Sequence, residues 1–469
     1  MSVFDPAPAR RDGLRTDLYQ LTMGAALLAH GRDDVATFEL YTRRLHPQRG
    51  FWLACGLELA LEYLEGLHVS QEQLGWLRDL PHFASVDPKV LDRLGRLRFT
   101  GDVWALPEGT PVFPNEPIVR VTAPIVEAQV VETYLLSLVN FQTLIASKAA
   151  RVAAACGTKQ FVDFGTRRAH GPEAGELVAR ASYVGGASGT SNVEAAHRLG
   201  IKVHGTFAHA WVMAWDDEAT AFRKYAEVFP SSTTLLIDTY DTVAAARRIV
   251  AEKLPCRAVR LDSGDLGALA KQVRAVLDAG GRREVQIIAS GDLEERKIAE
   301  LEASGAPIDV YGVGTELATS KDCPALGGVY KVVETRAGGR VRHPVKVSTD
   351  KGSWPGVKQV WRRTSTASDL ARGDVVELAS ETVDSTALRA DGPSPDHVPL
   401  LEQVMKGGRR VRPAPSLDAL KAQAKARLAA LPDGVRRLEA PDPWPVTIGP
   451  RLQALAESSR AEARSKAGR

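Results

Sequence analysis

The sequence predicts an α/β protein in which a parallel-stranded barrel is joined to a smaller antiparallel domain. Three observations point there. Apolar runs ending in small or polar residues recur as FVDFGTRRA (161), IKVHGTFAH (201), TTLLIDTYD (233), RAVRLDSGD (257), VQIIASGD (285) and IDVYGVGT (308). Helical patterns such as TVAAARRIVAEKL and LGALAKQVRAVLDAG lie between several of them, and this repeated strand–loop–helix grammar builds parallel strands covered by helices. No GxGxxG follows an early strand, while nearly every run ends in polar residues. That favours a barrel, whose strand C-termini share one active face, over an open doubly wound sheet.

The flanking segments read differently. Residues 17–30 form a helix and VATFELYTR a strand, and FWLACGLELALEYLEGL spaces its apolar residues as a helix does. GDVWALPEGTPVFPNEPIVRVTAP (101–124) alternates in short runs broken by Pro and Gly, as in a small antiparallel domain. Residues 125–156 are a long helical region with room for more than one helix. Beyond the barrel pattern, GGVYKVVE (327–334) and VRHPVKVSTDKGSWPGVKQVWRR read as strands returning to the domain around 101–124, and DALKAQAKARLAAL as a helix. The expected division is 1–135 as the first part of an α+β domain, 136–340 as the barrel, and 341–469 as return strands, C-terminal helices and a basic tail.

Composition narrows the function classes. With 469 residues, 44% hydrophobic, and a net charge of +3, the chain is enzyme-sized and nearly neutral. No nucleic-acid partner is expected, and the basic stretches KGGRRVRPAP (406–415) and SSRAEARSKAGR read as solvated, partly disordered tail. The N-terminus lacks the apolar core of a signal peptide and no run is long enough to span a membrane, so a cytoplasmic location is expected. Cys55, Cys156, Cys256 and Cys323 match no zinc spacing.

The strand ends carry the chemistry. His209, in HGTFAHAWVMAW, interrupts a run that otherwise wants burial; alone it reads more readily as a satisfied core or helix-end residue than as a catalyst. Asp262 and Asp265 of RLDSGDL suit helix caps or, alternatively, ribose hydroxyls and a magnesium ion. ASGD (289–292) and GVGT (312–315) place glycine beside hydroxyl residues before helical patterns, a way of holding phosphate on backbone N–H groups. Arg167, Arg168 and Arg260 offer forks for a carboxylate or further phosphate. These residues point to a barrel that binds an anionic, phosphosugar-like ligand, and leave the reaction open.

TDLYQLTMG (16–24), FVDFGTRRAHG (161–171), GTFAHAW (205–211), VRLDSGDL (259–266), YGVGTELATS (311–320), GGVYKVVE and PGVKQVWR together resemble the nicotinate phosphoribosyltransferase family, and PDPWPVTIGPRLQAL (441–455) is similar to its C-terminus. The resemblance implies an irregular, TIM-like α/β barrel with a second, mixed α+β domain formed from N- and C-terminal segments. It implies synthesis of nicotinate mononucleotide from nicotinate and 5-phosphoribosyl 1-pyrophosphate in NAD salvage, coupled to ATP hydrolysis, with Mg2+, in a homodimer with shared active sites. By motif, His209 is the histidine that ATP phosphorylates. Tyr19 and Thr206 line the nicotinate pocket, Tyr19 in the partner's site. Arg260, with Arg167 or Arg168, holds the nicotinate carboxylate. Asp262 meets ribose hydroxyls or magnesium-bound water, and Ser290, Gly291, Gly314 and Thr315 hold the 5′-phosphate. The metal-coordinating residues stay open. Ala210 and Glu316 depart from the family pattern, and no P-loop is present. The alternatives are a nicotinamide phosphoribosyltransferase of the same fold and a non-catalytic phosphosugar-binding protein.

Overall fold

The computed structural model describes residues 13–346, 353–364, 370–379 and 397–467. The chain forms two compact units, one of residues 145–324 and one of residues 1–144 with 325–469.

In the discontinuous unit, strand Val35–Thr42 lies between Gly328–Ala337 and Pro117–Pro124, antiparallel to both, in a seven-stranded sheet. This pairing is why the continuous unit ends at Pro324 where the sequence suggested 340: the strand starting at Gly328 belongs to the other sheet. A four-stranded sheet takes His397–Pro399, Lys358–Thr364, Ala371–Leu378 and Val446–Ile448. The FWLACGLELALEYLEGL stretch is not one helix. Trp52–Leu53 pairs with Pro111–Val112, and the helix Leu57–Gly66 starts only after Gly56, which turns with φ +99°. The region 125–156 is two helices, Ile125–Val130 and Glu132–Cys156.

Both basic stretches are ordered where described, against expectation. Glu402–Lys406 and Arg409–Arg410 form a hairpin at the sheet edge, turned by Gly407 and Gly408 at φ +55° and +74°. Arg410 is the counter-ion of Glu58 and Glu65. Two consecutive left-handed residues are what a tight hairpin needs, so the glycines decide the structure and the charges follow. The C-terminal stretch lies in helix Pro450–Ala467, anchored by fully buried Leu452 and Ala456. Residues 347–352 of the returning strand pattern lie outside the described residues.

The continuous unit holds a five-stranded parallel sheet in the order Gln160–Asp163, Val310–Val313, Gln286–Ala289, Ala258–Leu261, Thr234–Leu236. Val259, Ile287, Tyr311 and Val313 are fully buried, as expected of strands covered by helices. The run at 201 is not a strand. It contributes one bridge, Val203 with Thr190, and Thr190 bridges in turn to Asp163 at the sheet edge. From the same run, the Thr206 hydroxyl donates to the carbonyl of Thr234 at 2.8 Å. The glycine and histidines of KVHGTFAH cannot propagate a buried ladder, so this side is stitched by isolated bonds. Asp163 completes the stitching. Fully buried, it accepts from the Thr190 hydroxyl at 2.7 Å and the Gly165 N–H at 2.8 Å. Burial raises its carboxyl to about 6 against those two hydrogen bonds.

Candidate active site

The C-terminal ends of three neighbouring segments of the continuous unit meet at His209. Phe207, two residues before it, is buried against Phe222 and edge-on to Tyr225 at 4.7 Å, and Val212 is fully buried behind it. These anchors leave His209 at the first position of the short helix His209–Met213, with its side chain 38% exposed. Its Nδ1 lies 3.2 Å from the Thr239 hydroxyl, and its Nε2 4.0 Å from Asp262 Oδ2.

Arg260 and Asp262 follow on one strand end. Arg260 Nη2 donates to the Phe207 carbonyl at 3.1 Å and Nη1 stands 3.9 Å from Asp262 Oδ1. Burial lowers the Arg260 guanidinium from its ordinary range and Arg167 adds to this, while Asp262 and Asp238 oppose it. Its Nε is buried with no hydrogen-bond partner. An orphaned, buried guanidinium N–H is suited to an anionic group.

Asp262 is held from two sides. Its N–H donates to Asp238 Oδ2 at 3.1 Å, the Ser290 hydroxyl donates to its Oδ1, and Ser263 donates to the same Asp238 oxygen. It caps no helix. Asp265 does, accepting from the Ala268 N–H at 3.0 Å. Asp238 and Thr239 went unnoticed in the sequence, although TTLLIDTYD ends in polar residues as its neighbours do. Asp238 Oδ1 is buried without a hydrogen-bond partner beside Asp262.

The expected phosphate loops differ from each other. Ser290 commits both donors inside the protein, N–H to Leu261 O at 2.8 Å and hydroxyl to Asp262. Both Ser290 donors are thus engaged within the protein. Gly291 has φ +94°, and a Cβ there would meet the Asp262 carbonyl oxygen at 1.9 Å. Gly314 precedes the one-turn helix Thr315–Ala318. Glu316 is paired with Lys321 at 2.7 Å, so the departure it represents adds no unpaired charge. Arg167 and Arg168 are exposed on the single turn Thr166–Arg168. The Thr206 hydroxyl is used on Thr234. Tyr19 is in the discontinuous unit, exposed on helix Leu18–Ala29.

Models of the nicotinate phosphoribosyltransferase N-terminal and C-terminal domains match residues 14–140 and 357–456, and the quinolinate phosphoribosyl transferase C-terminal domain matches 145–323. A nicotinate phosphoribosyltransferase of Mycobacterium tuberculosis is 42% identical, covering 96% of this chain and 95% of the relative. One from Bacillus subtilis is 40% identical, over 93% and 92%. This chain belongs to the nicotinate phosphoribosyltransferase family. The crystal structure of human nicotinic acid phosphoribosyltransferase shares the fold, at 30% identity and a TM-score of 0.81 over 94% of this chain and 99% of that one. A nicotinate-nucleotide pyrophosphorylase from Pyrococcus furiosus, 24% identical over 92% of this chain and 99% of that one with a TM-score of 0.71, shares the fold alone. The quinolinate-type match falls on the unit with the parallel sheet, and the two nicotinate phosphoribosyltransferase domain models fall on the discontinuous unit. Among the described residues no helix is long and apolar enough to cross a membrane.

Proposed function

We propose that this chain is an ATP-coupled nicotinate phosphoribosyltransferase that makes nicotinate mononucleotide and pyrophosphate, with the cluster His209–Arg260–Asp262 as its reacting centre. The observation that carries this is the convergence of imidazole, guanidinium and carboxylate within 4.0 Å at one set of strand ends, in a chain of this family. The parallel sheet closes as an irregular barrel through the Thr190, Val203 and Thr206 bonds, which gives those strand ends one shared face.

The glycosyl step needs no strong base. Pyrophosphate leaves C1 of the ribose, and the pyridine nitrogen lone pair forms the new C–N bond from the opposite face. Catalysis rests on alignment and on stabilising the leaving charge. Arg260 pairs with the pyridine carboxylate through its unpartnered Nε edge, Asp262 orients the ribose hydroxyls, and Gly291, Gly314 and Thr315 hold the 5′-phosphate. His209 accepts the γ-phosphoryl group of ATP, releasing ADP; water later takes the group as inorganic phosphate. Thr239 and Asp262 set the imidazole's orientation for that transfer.

No cluster of three or more metal-ligating side chains occurs among the described residues. Magnesium commonly takes one or two carboxylates plus substrate phosphates and waters, so the orphaned Asp238 Oδ1 beside Asp262 fits that ion. When bound it neutralises phosphate charge; Asp238 and Asp262 are the residues that would hold it. The active unit is a homodimer, in which Tyr19 closes over the partner's pyridine pocket. Exposed Leu18, Tyr19 and Met23 on one helix support a covering surface there.

Product formation from phosphoribosyl pyrophosphate with nicotinate or nicotinamide, each with and without ATP, tests this in wild type and His209→Ala. Nicotinate mononucleotide is expected, stimulated by ATP in wild type only. Preference for nicotinamide overturns the role of Arg260, and no turnover with either base overturns the enzyme reading.

A further inference from the structure

Helix Glu132–Cys156 carries Lys148 and Arg151 on one face, three residues apart. Both are buried, Lys148 with 1% of its side chain exposed. Its ammonium meets Glu295 Oε2 at 2.6 Å and Asp322 Oδ1 at 2.9 Å. Arg151 Nε meets the other Glu295 oxygen at 2.8 Å. Burial raises the Glu295 carboxyl, but Lys148 and Arg151 more than offset it and hold it below its ordinary value.

The two carboxylates come from the segments that leave the two candidate phosphate loops. Glu295 opens helix Glu295–Ala303, a few residues beyond Ser290–Gly291. Asp322 follows the turn Thr315–Ala318, and backbone bonds Ala318 N to Gly314 O, Lys321 N to Glu316 O and Cys323 N to Ser320 O link that stretch turn by turn.

We propose that Lys148 is a positioning residue that fixes the spacing between the Ser290–Gly291 and Gly314–Thr315 loops, and so the grip on the phosphoribosyl donor. This rests on the functional reading above. If either segment moves away it takes a carboxylate from the buried ammonium, which is then left short of counter-charge, so the pairing is kept whole only at one spacing of the two segments. An apolar side chain of similar length would fill the space without enforcing that spacing. A phosphate held by backbone N–H groups of both loops is sensitive to their separation, since a misplacement of about 1 Å costs on the order of 100-fold in rate.

The test is steady-state kinetics of the full-length enzyme, with the thermal midpoint recorded for each variant. Lys148→Met is expected to raise KM for phosphoribosyl pyrophosphate about tenfold and leave KM for nicotinate within about twofold. A purely structural defect would move both constants together. A double-mutant cycle of Glu295→Gln with Asp322→Asn reads the coupling directly. The effects on donor KM are expected to be non-additive with Lys148 present and additive in Lys148→Met. If Lys148→Met does not fold, the cycle with Lys148 present decides alone: additivity there overturns the proposal. An unchanged donor KM in a folded Lys148→Met overturns it too, while a wild type that turns over no phosphoribosyl pyrophosphate overturns the functional reading and this inference with it.

Discussion

At Gly291 the chain turns with φ +94° against the carbonyl of Asp262, with no room for a Cβ. Gly291→Ala places an L-residue in the left-handed region, at about 1–2 kcal/mol, and pushes on the backbone that carries Asp262. Activity is expected to fall on the order of 100-fold, more than the modest drop in thermal midpoint would account for; equal kcat/KM in the two proteins would remove Gly291 from the site. Glu218 is a second residue with a legible consequence. Burial raises its carboxyl to about 7, opposed by Arg248 and reinforced by Asp241. Its Oε1 is buried without a hydrogen-bond partner. The native state therefore binds a proton more tightly than the unfolded chain between the ordinary 4.5 and about 7, and stability falls as pH rises through that window. Glu218→Gln is expected to flatten this loss, gaining thermal midpoint over wild type at pH 8 and not at pH 4. A parallel pH dependence in both proteins would show that Glu218 is not the group responsible.

At the scale of elements, one device is used twice. Strand Thr234–Leu236 runs into Asp238 and Asp241, and strand Ala258–Leu261 into Asp262 and Asp265, with the same spacing. In each pair the first aspartate faces the site. The second caps the next helix, Asp241 accepting from Ala244 N–H and Asp265 from Ala268 N–H. This limits what the sequence can tell. Asp262 and Asp265 were equally good caps by residue type, and only the chain's path separates their roles. Asp238 stayed hidden because its carboxylate works through Asp262 N–H and Ser263, contacts that span about two dozen residues of sequence. His209 and Arg260 were visible because a polar side chain at the end of a buried run needs a reason. Asp265→Ala is accordingly expected to cost about 1 kcal/mol of stability and spare kcat. Asp262→Asn should do the reverse, keeping the thermal midpoint within a few degrees and removing most turnover. Unfolding curves and initial rates on the two variants suffice, and matching profiles would undo the division of roles.

Across the whole molecule, the strand–loop–helix rhythm exposed the continuous unit because four of its five strands, from Thr234–Leu236 to Val310–Val313, pair in chain order. The other unit was harder, since its sheets are assembled from both ends of the chain and no local period announces a partner hundreds of residues away. Arg362 shows what replaces local order there. Nearly buried, it donates to both oxygens of Asp374, at 2.9 and 2.7 Å, and to the Pro111 carbonyl at 2.9 Å. Its guanidinium lies 5.6 Å from both the Phe113 and Trp444 rings, which stack on each other at 4.9 Å. Trp444 donates to Asp374 as well. Fully buried Glu116 faces the same carboxylate, and burial, then Asp374, raises it well above the carboxylate range while Arg362 opposes the shift. Protonated, Glu116 can donate to Asp374; ionised, it would confront a like charge. Arg362→Met leaves Asp374 buried without its cation, and a loss of about 3–5 kcal/mol is expected. Glu116→Gln keeps a donor toward Asp374 and an acceptor for the Phe113 N–H. It should be neutral at pH 5. As pH rises past the ordinary carboxylate value the native state of the wild type keeps a proton the unfolded chain has released, so wild type loses stability and the variant does not. Denaturant unfolding at pH 5 and pH 8 separates the cases: a Glu116→Gln protein that is weaker than wild type at both would mean that Glu116 stands ionised beside Arg362, with the cation serving two carboxylates.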